Sequence, residues 1–201
     1  MEAAESTAAA LAQSDLDLVE RHRYGDPAAF EEVYRRYGEM VYSLCHRLSG
    51  DPDLAADLTQ EAFLRIFRHV GKFRGGSSLK TWVYRVALNH CRSRLARRRL
   101  FWRSLAEPDE PGPEAVDPGR SPEDRAIAHD EGRRLTRALA AVPVAYREAV
   151  VLFDLQGLSY EEIARVLGVR LGTVRSRLAR GRERLRQILE EGEPLAPESS
   201  P

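Results

Sequence analysis

The chain has 201 residues, 43% of them apolar, and its 31 Lys plus Arg balance 31 Asp plus Glu to a formal net charge of zero. That length fits one or two domains, and the apolar share is enough for a core, which excludes a chain disordered throughout. No apolar run approaches the ~20 residues of a membrane span, no secretion signal opens the chain, and Cys45 and Cys91 form neither a C-x-x-C pair nor a disulfide framework, so a cytoplasmic protein without metal or cofactor is expected.

Residues 1–14 read as a disordered tail, and a first helical domain is expected over 15–103. Asp26-Pro27 supplies an N-cap and a proline at the first helical position. After it Phe30, Val33, Tyr34, Tyr37, Val41, Leu44 and Leu48 recur at helical spacing until Gly50. Asp51-Pro52 repeats the start signal for a second helix, whose apolar side is Leu54, Leu58, Phe63, Ile66, Phe67 and Val70. Opposite that side Asp53, Asp57, Gln60 and Glu61 form a polar, acidic stripe. The glycine-containing loop 71–78 breaks the pattern, and a third helix from about Leu79 buries Leu79, Trp82, Val83, Val86 and Leu95. Residues 1–64 hold 5 Arg against 13 acids, whereas residues 65–103 hold 12 basic residues and no acid.

Residues 104–121 read as a flexible, acidic linker, because the stretch from Ser104 to Pro122 has 5 Pro in 19 residues and no helix or central strand tolerates that density. A second helical domain follows over 122–190, and 191–201 form another disordered tail. Its first helix carries Ile127, Leu135, Leu139 and Val142; Pro143 restarts a second with Tyr146, Val150, Phe153 and Leu155. Ser159 and Glu162 have the spacing of a capping box at the start of a short helix that Gly168 closes. The last helix, from about Gly172 to Leu189, turns Val174, Leu178, Gly181, Leu185 and Ile188 inward. No segment alternates with period two, so the fold class is all-α: two small helical domains joined by a flexible linker.

A short helix, a glycine turn and a second helix with an arginine-rich outer face make the helix-turn-helix plan. Residues 165–186 hold 8 Arg and one acid, and the exposed start of the last helix presents Thr173, Arg175, Ser176, Arg177 and Arg180. Arginine forks suit guanine edges and phosphates, and a second basic block within one chain is the electrostatic footprint of nucleic-acid binding. No P-loop, dinucleotide loop, metal-ligand spacing or nucleophile–base pair is present in the sequence, so no enzyme is expected.

The segment GLSYEEIARVLGVRLGTVRSRLARGRERL, Gly157 to Leu185, resembles region 4 of bacterial sigma-70-type initiation factors of the extracytoplasmic-function (ECF) subgroup. DLTQEAFLRIFRH, Asp57 to His69, resembles region 2.2 of the same family, and FRGGSSLKTWVYRVALNHCRSRLARRR, Phe73 to Arg99, resembles regions 2.3 and 2.4. The resemblance implies a region 2 helical bundle and a region 4 helix-turn-helix. It implies that Asp57, Gln60 and Glu61 meet core RNA polymerase. Arg74, Thr81, Arg85, Asn89, Arg92 and Ser93 then face the opened −10 strand, with the loop Phe73 to Ser78 around a flipped base. Thr173, Arg175, Ser176, Arg177 and Arg180 face the −35 duplex. The acidic linker is expected to run through the polymerase, and an anti-sigma factor is a further expected partner. Two other readings stay open at this point: a stand-alone helix-turn-helix regulator, which leaves the 65–103 block without a task, and a helical adaptor for protein alone, which leaves both arginine blocks without one.

Overall fold

A computed structural model describes residues 14–105 and 126–191. Every regular element among them is helical: α1 over 14–23, α2 Pro27–Ser49, α3 Pro52–Val70, α4 Leu79–Leu105, α5 Ala126–Ala141, α6 Val144–Val150, a π-helical turn Val151–Leu155, α7 Tyr160–Leu167 and α8 Leu171–Glu190. The signals for these helices act as read. Asp26 accepts from the Ala28 N–H, Asp51 from those of Asp53 and Leu54, and Gly50 ends α2 at φ 75°, a backbone that favours glycine. Ser78 caps α4, its hydroxyl accepting from the Thr81 N–H at 3.1 Å.

Helix α1 has no counterpart in the sequence reading. Only Leu18 and Val19 of its apolar residues are buried, too few for a periodic signal. It is fastened by polar contacts instead: buried Asp15 accepts from the Tyr37 hydroxyl at 2.8 Å and from Arg36 at 3.1 Å. Burial and that carboxylate push the Tyr37 phenol up.

Helices α2, α3 and α4 form one bundle, α5 to α8 another, and the two pack directly against each other: α2 on α5 and the π turn, α4 on α7. Most of their buried side chains form one continuous cluster, from Leu44, Leu58 and Leu88 to Leu152, Ile163 and Val174, and Ala138, Val142 and Ile188 form a smaller one between α5 and α8. This contact explains where periodicity misplaced residues. Covered on two sides, α4 buries Tyr84, Ala87, Leu88 and Cys91, while Trp82, Val86 and Leu95 are half-buried. Tyr34, Phe67 and Leu155, expected inside, are 53%, 50% and 38% exposed. For Leu155 the cause is the π turn, where the Gln156 N–H reaches back five residues to the Val151 carbonyl and the side-chain sequence slips round the axis. Cys45 and Cys91 are free thiols facing each other across α2 and α4, Sγ to Sγ 3.3 Å.

Helix α4 continues to Leu105, past the expected boundary at 103. The rest of the linker, the first residues of the second domain up to 125, and both tails apart from residues 14 and 191 lie outside the described residues.

Candidate nucleic-acid interface

Helices α7 and α8 are held at a defined turn. Ser159 accepts from the Glu162 N–H at 3.2 Å while its own N–H donates to the Glu162 carboxylate at 2.9 Å, and Gly168 closes α7 at φ 67°. Arg170 starts α8 through its backbone alone, its carbonyl accepting from the Thr173 and Val174 N–H groups. The apolar face, Val174, Leu178 and Ile188, is buried. Gly181 lets α8 approach α6: a Cβ there would stand 2.6 Å from Val150 Cγ2 and 3.0 Å from the Tyr146 carbonyl oxygen.

The arginines of α8 divide into two groups. Arg182 donates to Asp154 at 3.0 and 2.5 Å and lies 5.0 Å from the centre of the Phe153 ring; Arg186 pairs with Glu183 and Glu190. At the helix start Arg175 is exposed, Arg177 half-buried, and neither has a carboxylate partner among the described residues. Ser176 is exposed, its hydroxyl donating to the Thr173 carbonyl, and exposed Arg180 touches the Tyr146 hydroxyl at 3.4 Å. Thr173, half-buried, completes the surface. The expected −35 residues therefore share one end of α8, with unneutralised charge where a polyanion would supply the counter-charge.

On α4, Arg85, Asn89 and Ser93 are exposed and line one cavity of about 390 Å³. Trp82, Val86 and His90 form part of its wall, and Arg65, His69 and Lys72 enter from the end of α3. The last three were missed as site residues, although their i, i+4, i+7 spacing within the basic block is visible in the sequence. None of residues 73–78 lines this cavity. Phe73 is instead buried against Trp82, ring centres 5.9 Å apart, which fixes the loop, and Arg74 is exposed beyond it.

Two expected members of this face are placed otherwise. Thr81 is 3% exposed and its hydroxyl bonds that of Ser78 at 2.8 Å, so it belongs to the start of α4 and not to its outer surface. Arg92 is half-buried and forks onto Glu148 of α6, Nε to Oε1 and Nη2 to Oε2 at 2.5 Å each. That carboxylate raises the Arg92 guanidinium above its ordinary value.

In the acidic stripe Asp57 and Gln60 are exposed. Glu61 is committed within the bundle, accepting from His90 Nε2 at 2.8 Å and forming an ion pair with Arg94, Nε to Oε2 2.9 Å. His90 is 3% exposed and its Nδ1 is buried without a hydrogen-bond partner. The assignment that fits is neutral imidazole, Nε2–H donating to Glu61, with an unprotonated Nδ1. Burial pulls its pKa down, with Arg65 and Arg94 adding to that and Glu61 opposing it. Beyond Gln60 the exposed face continues as apolar surface, Leu64 at 57% and Phe67 at 50% exposure.

Two family models match the chain: Sigma-70 region 2 over residues 33–101, and Sigma-70, region 4 over residues 132–185. The ECF RNA polymerase sigma factor SigE of Mycolicibacterium smegmatis is 43% identical over 173 residues, spanning 82% of this chain and 64% of the relative. The RNA polymerase sigma-H factor of Pseudomonas aeruginosa is 37% identical, spanning 89% of this chain and 95% of the relative. Among solved structures, the sigma factor RpoE of Bartonella quintana, in complex with the anti-sigma factor NepR, superposes with a TM-score of 0.64 at 25% identity, covering 80% of this chain and 96% of that one.

Proposed function

This chain belongs to the ECF group of the sigma-70 family, the initiation factors that direct RNA polymerase to promoters, and we propose that its helices divide promoter recognition between them. Helix α8 enters the major groove of the −35 duplex, Arg175 and Arg177 reaching base edges or flanking phosphates and Thr173, Ser176 and Arg180 completing the contact. Helix α4 takes the opened −10 strand. Asn89 and Ser93 offer hydrogen bonds to an unstacked base beside the α3–α4 cavity, while Arg74, Arg85, Arg65 and Lys72 track the backbone. Asp57 and Gln60, continued by Leu64 and Phe67, form the docking face for the polymerase, a mixed apolar and acidic surface of the kind that large interfaces bury. The factor works by binding and positioning, in the cytoplasm where polymerase and promoter meet. An anti-sigma factor, the kind of protein with which the Bartonella quintana relative was solved, is a fitting partner for these surfaces.

One observation carries this division: Arg175 and Arg177 at the start of α8 lack carboxylate partners among the described residues, while Arg182 and Arg186 of its second half are spent on Asp154, Glu183 and Glu190 and Arg184 bonds Gln187. Run-off transcription with purified core polymerase on fragments of the source genome tests it. Discrete, factor-dependent transcripts whose start sites share −35 and −10 sequences are the expected result. Specific duplex binding by the free chain with no factor-dependent transcript would return the stand-alone regulator.

A further inference from the structure

Two thiols of the first bundle have no part in the proposed function. Cys45 of α2 and Cys91 of α4 are 46 positions apart in the chain, both fully buried, and their Sγ atoms stand 3.3 Å apart. A single buried cysteine packs as a small hydrophobe. Two in mutual contact are also the two halves of a covalent bond, and a disulfide of ~2.05 Å requires the sulfurs to close by roughly 1.2 Å. The pair is chemically unequal. Its hydrogen bond fits Cys91 S–H donating to Cys45 Sγ; that bond lowers the Cys45 thiol, and with burial it pushes Cys91 up. Cys45 is therefore the sulfur that yields a thiolate, the form that attacks an oxidant. Cys91 also lies on a sensitive stretch of α4. Asn89 and Ser93, two residues to either side, are exposed and line the α3–α4 cavity. Because the interior is close-packed, a pull on Cys91 toward α2 moves that stretch of helix with it. Asn89 and Ser93 then shift against Arg65 and His69 of α3, across the same cavity.

We propose that Cys45 and Cys91 are a peroxide-responsive dithiol, whose oxidation to an intrachain disulfide draws α4 toward α2 and weakens the reading of the opened strand. The bond itself stands on the α2–α4 contact; its effect rests on the reading of α4 as the strand-binding helix. The oxidant is hydrogen peroxide, small enough to suit thiols that are fully buried. The Cys45 thiolate attacks one peroxide oxygen and the O–O bond breaks. Hydroxide leaves, takes up the proton that Cys45 gave away and becomes water, and Cys45 is left as a sulfenic acid. The Cys91 sulfur then attacks the Cys45 sulfur, the S–O bond breaks, and a second water leaves with the Cys91 proton. Two electrons pass from the sulfurs to the peroxide, and a dithiol such as dithiothreitol returns them by exchange.

The test uses the full chain. The reduced factor is treated with hydrogen peroxide, desalted, and divided between intact mass spectrometry and assembly with untreated core polymerase in thiol-free buffer. The expected product is a monomer about 2 Da lighter, with a non-reduced peptide joining Cys45 to Cys91 and the mass restored by dithiothreitol. Permanganate reactivity of the −10 thymines, at saturating holoenzyme, is expected to fall about threefold or more in the oxidised form and to recover on reduction. Cys91→Ala is expected to open promoters equally before and after the treatment. Should that variant lose helix by circular dichroism, Cys45→Ala takes its place, and the wild-type cycle of oxidation and reduction is read in either case. A pair that stays reduced, a sulfenic or sulfinic acid without the bond, or a disulfide between two chains overturns the dithiol. A complete intrachain disulfide with unchanged opening overturns its regulation. The underlying reading has its own measurement. If reduced Asn89→Ala holoenzyme opens promoters as wild type does, α4 is not the strand reader; if it is impaired while the oxidised factor opens normally, only the switch falls.

Discussion

Glu61 shows how one side chain can serve two helices. Its carboxylate sits on the acidic stripe of α3 yet accepts from His90 and pairs with Arg94 of α4, so the face proposed for docking and the face proposed to read the strand share an atom group. The pH consequence follows from His90. Its folded pKa lies below the ordinary ~6.5, so between the two values the unfolded chain binds more protons and stability falls as pH is lowered through about 6.5. His46, depressed by burial and Arg47, acts in the same direction. His90→Gln, which can still donate to Glu61, is expected to flatten part of that loss; urea midpoints measured between about pH 7.5 and 5.5 check it, and an unchanged slope contradicts it. On α8, Arg175→Ala is expected to weaken the polymerase complex on its preferred −35 site by about 1–3 kcal/mol, read by competition binding. Helical spacing in the sequence brought Asn89, Ser93, Arg175 and Ser176 to the surface correctly. It could not do so for Arg92, because a helix has no fixed solvent side when a second bundle lies against it, or for Thr81, whose hydroxyl is tied to that of Ser78 at the start of α4.

At the scale of the element, the caps were the most legible feature. Asp26-Pro27, Asp51-Pro52, the Ser159–Glu162 box and Gly168 are local chemistry, decided within one turn of chain, and each acts in the structure as its sequence indicates. Ser159→Ala removes one arm of the box and is expected to lower stability by ~1 kcal/mol in denaturant unfolding. Two features were illegible because they depend on distant residues. The π turn lies between α2 of one bundle and α6 and α7 of the other, with Leu152 in the buried cluster, and α1 is held by Asp15 against Arg36 and Tyr37. Gly181 was read as inward, but its reason, the close approach of α6, needs three dimensions. Gly181→Ala forces a methyl against Val150 and the Tyr146 carbonyl and is expected to destabilise by ~1–3 kcal/mol, with −35 binding lost in step as α8 tilts.

For the whole molecule, zero net charge hides a working distribution. Acid lies on the α3 stripe proposed to meet polymerase and along the expected linker, arginine and lysine on α4 and α8. The sum limits non-specific attraction to DNA by the free factor, and the Arg92–Glu148 pair adds a local instance of the same cancellation. On the proposed function, one chain carries two readers with separate tasks, α8 for the −35 duplex and α4 for the opened −10 strand. Permanganate footprinting of holoenzyme on a cognate promoter, at holoenzyme concentrations that saturate binding, separates them most directly. Arg175→Ala is predicted to need more holoenzyme but to reach wild-type thymine reactivity once bound. Asn89→Ala is predicted to bind normally and leave the −10 thymines protected. Full reactivity with Asn89→Ala, or an opening defect with Arg175→Ala that persists at saturation, would contradict the assignment.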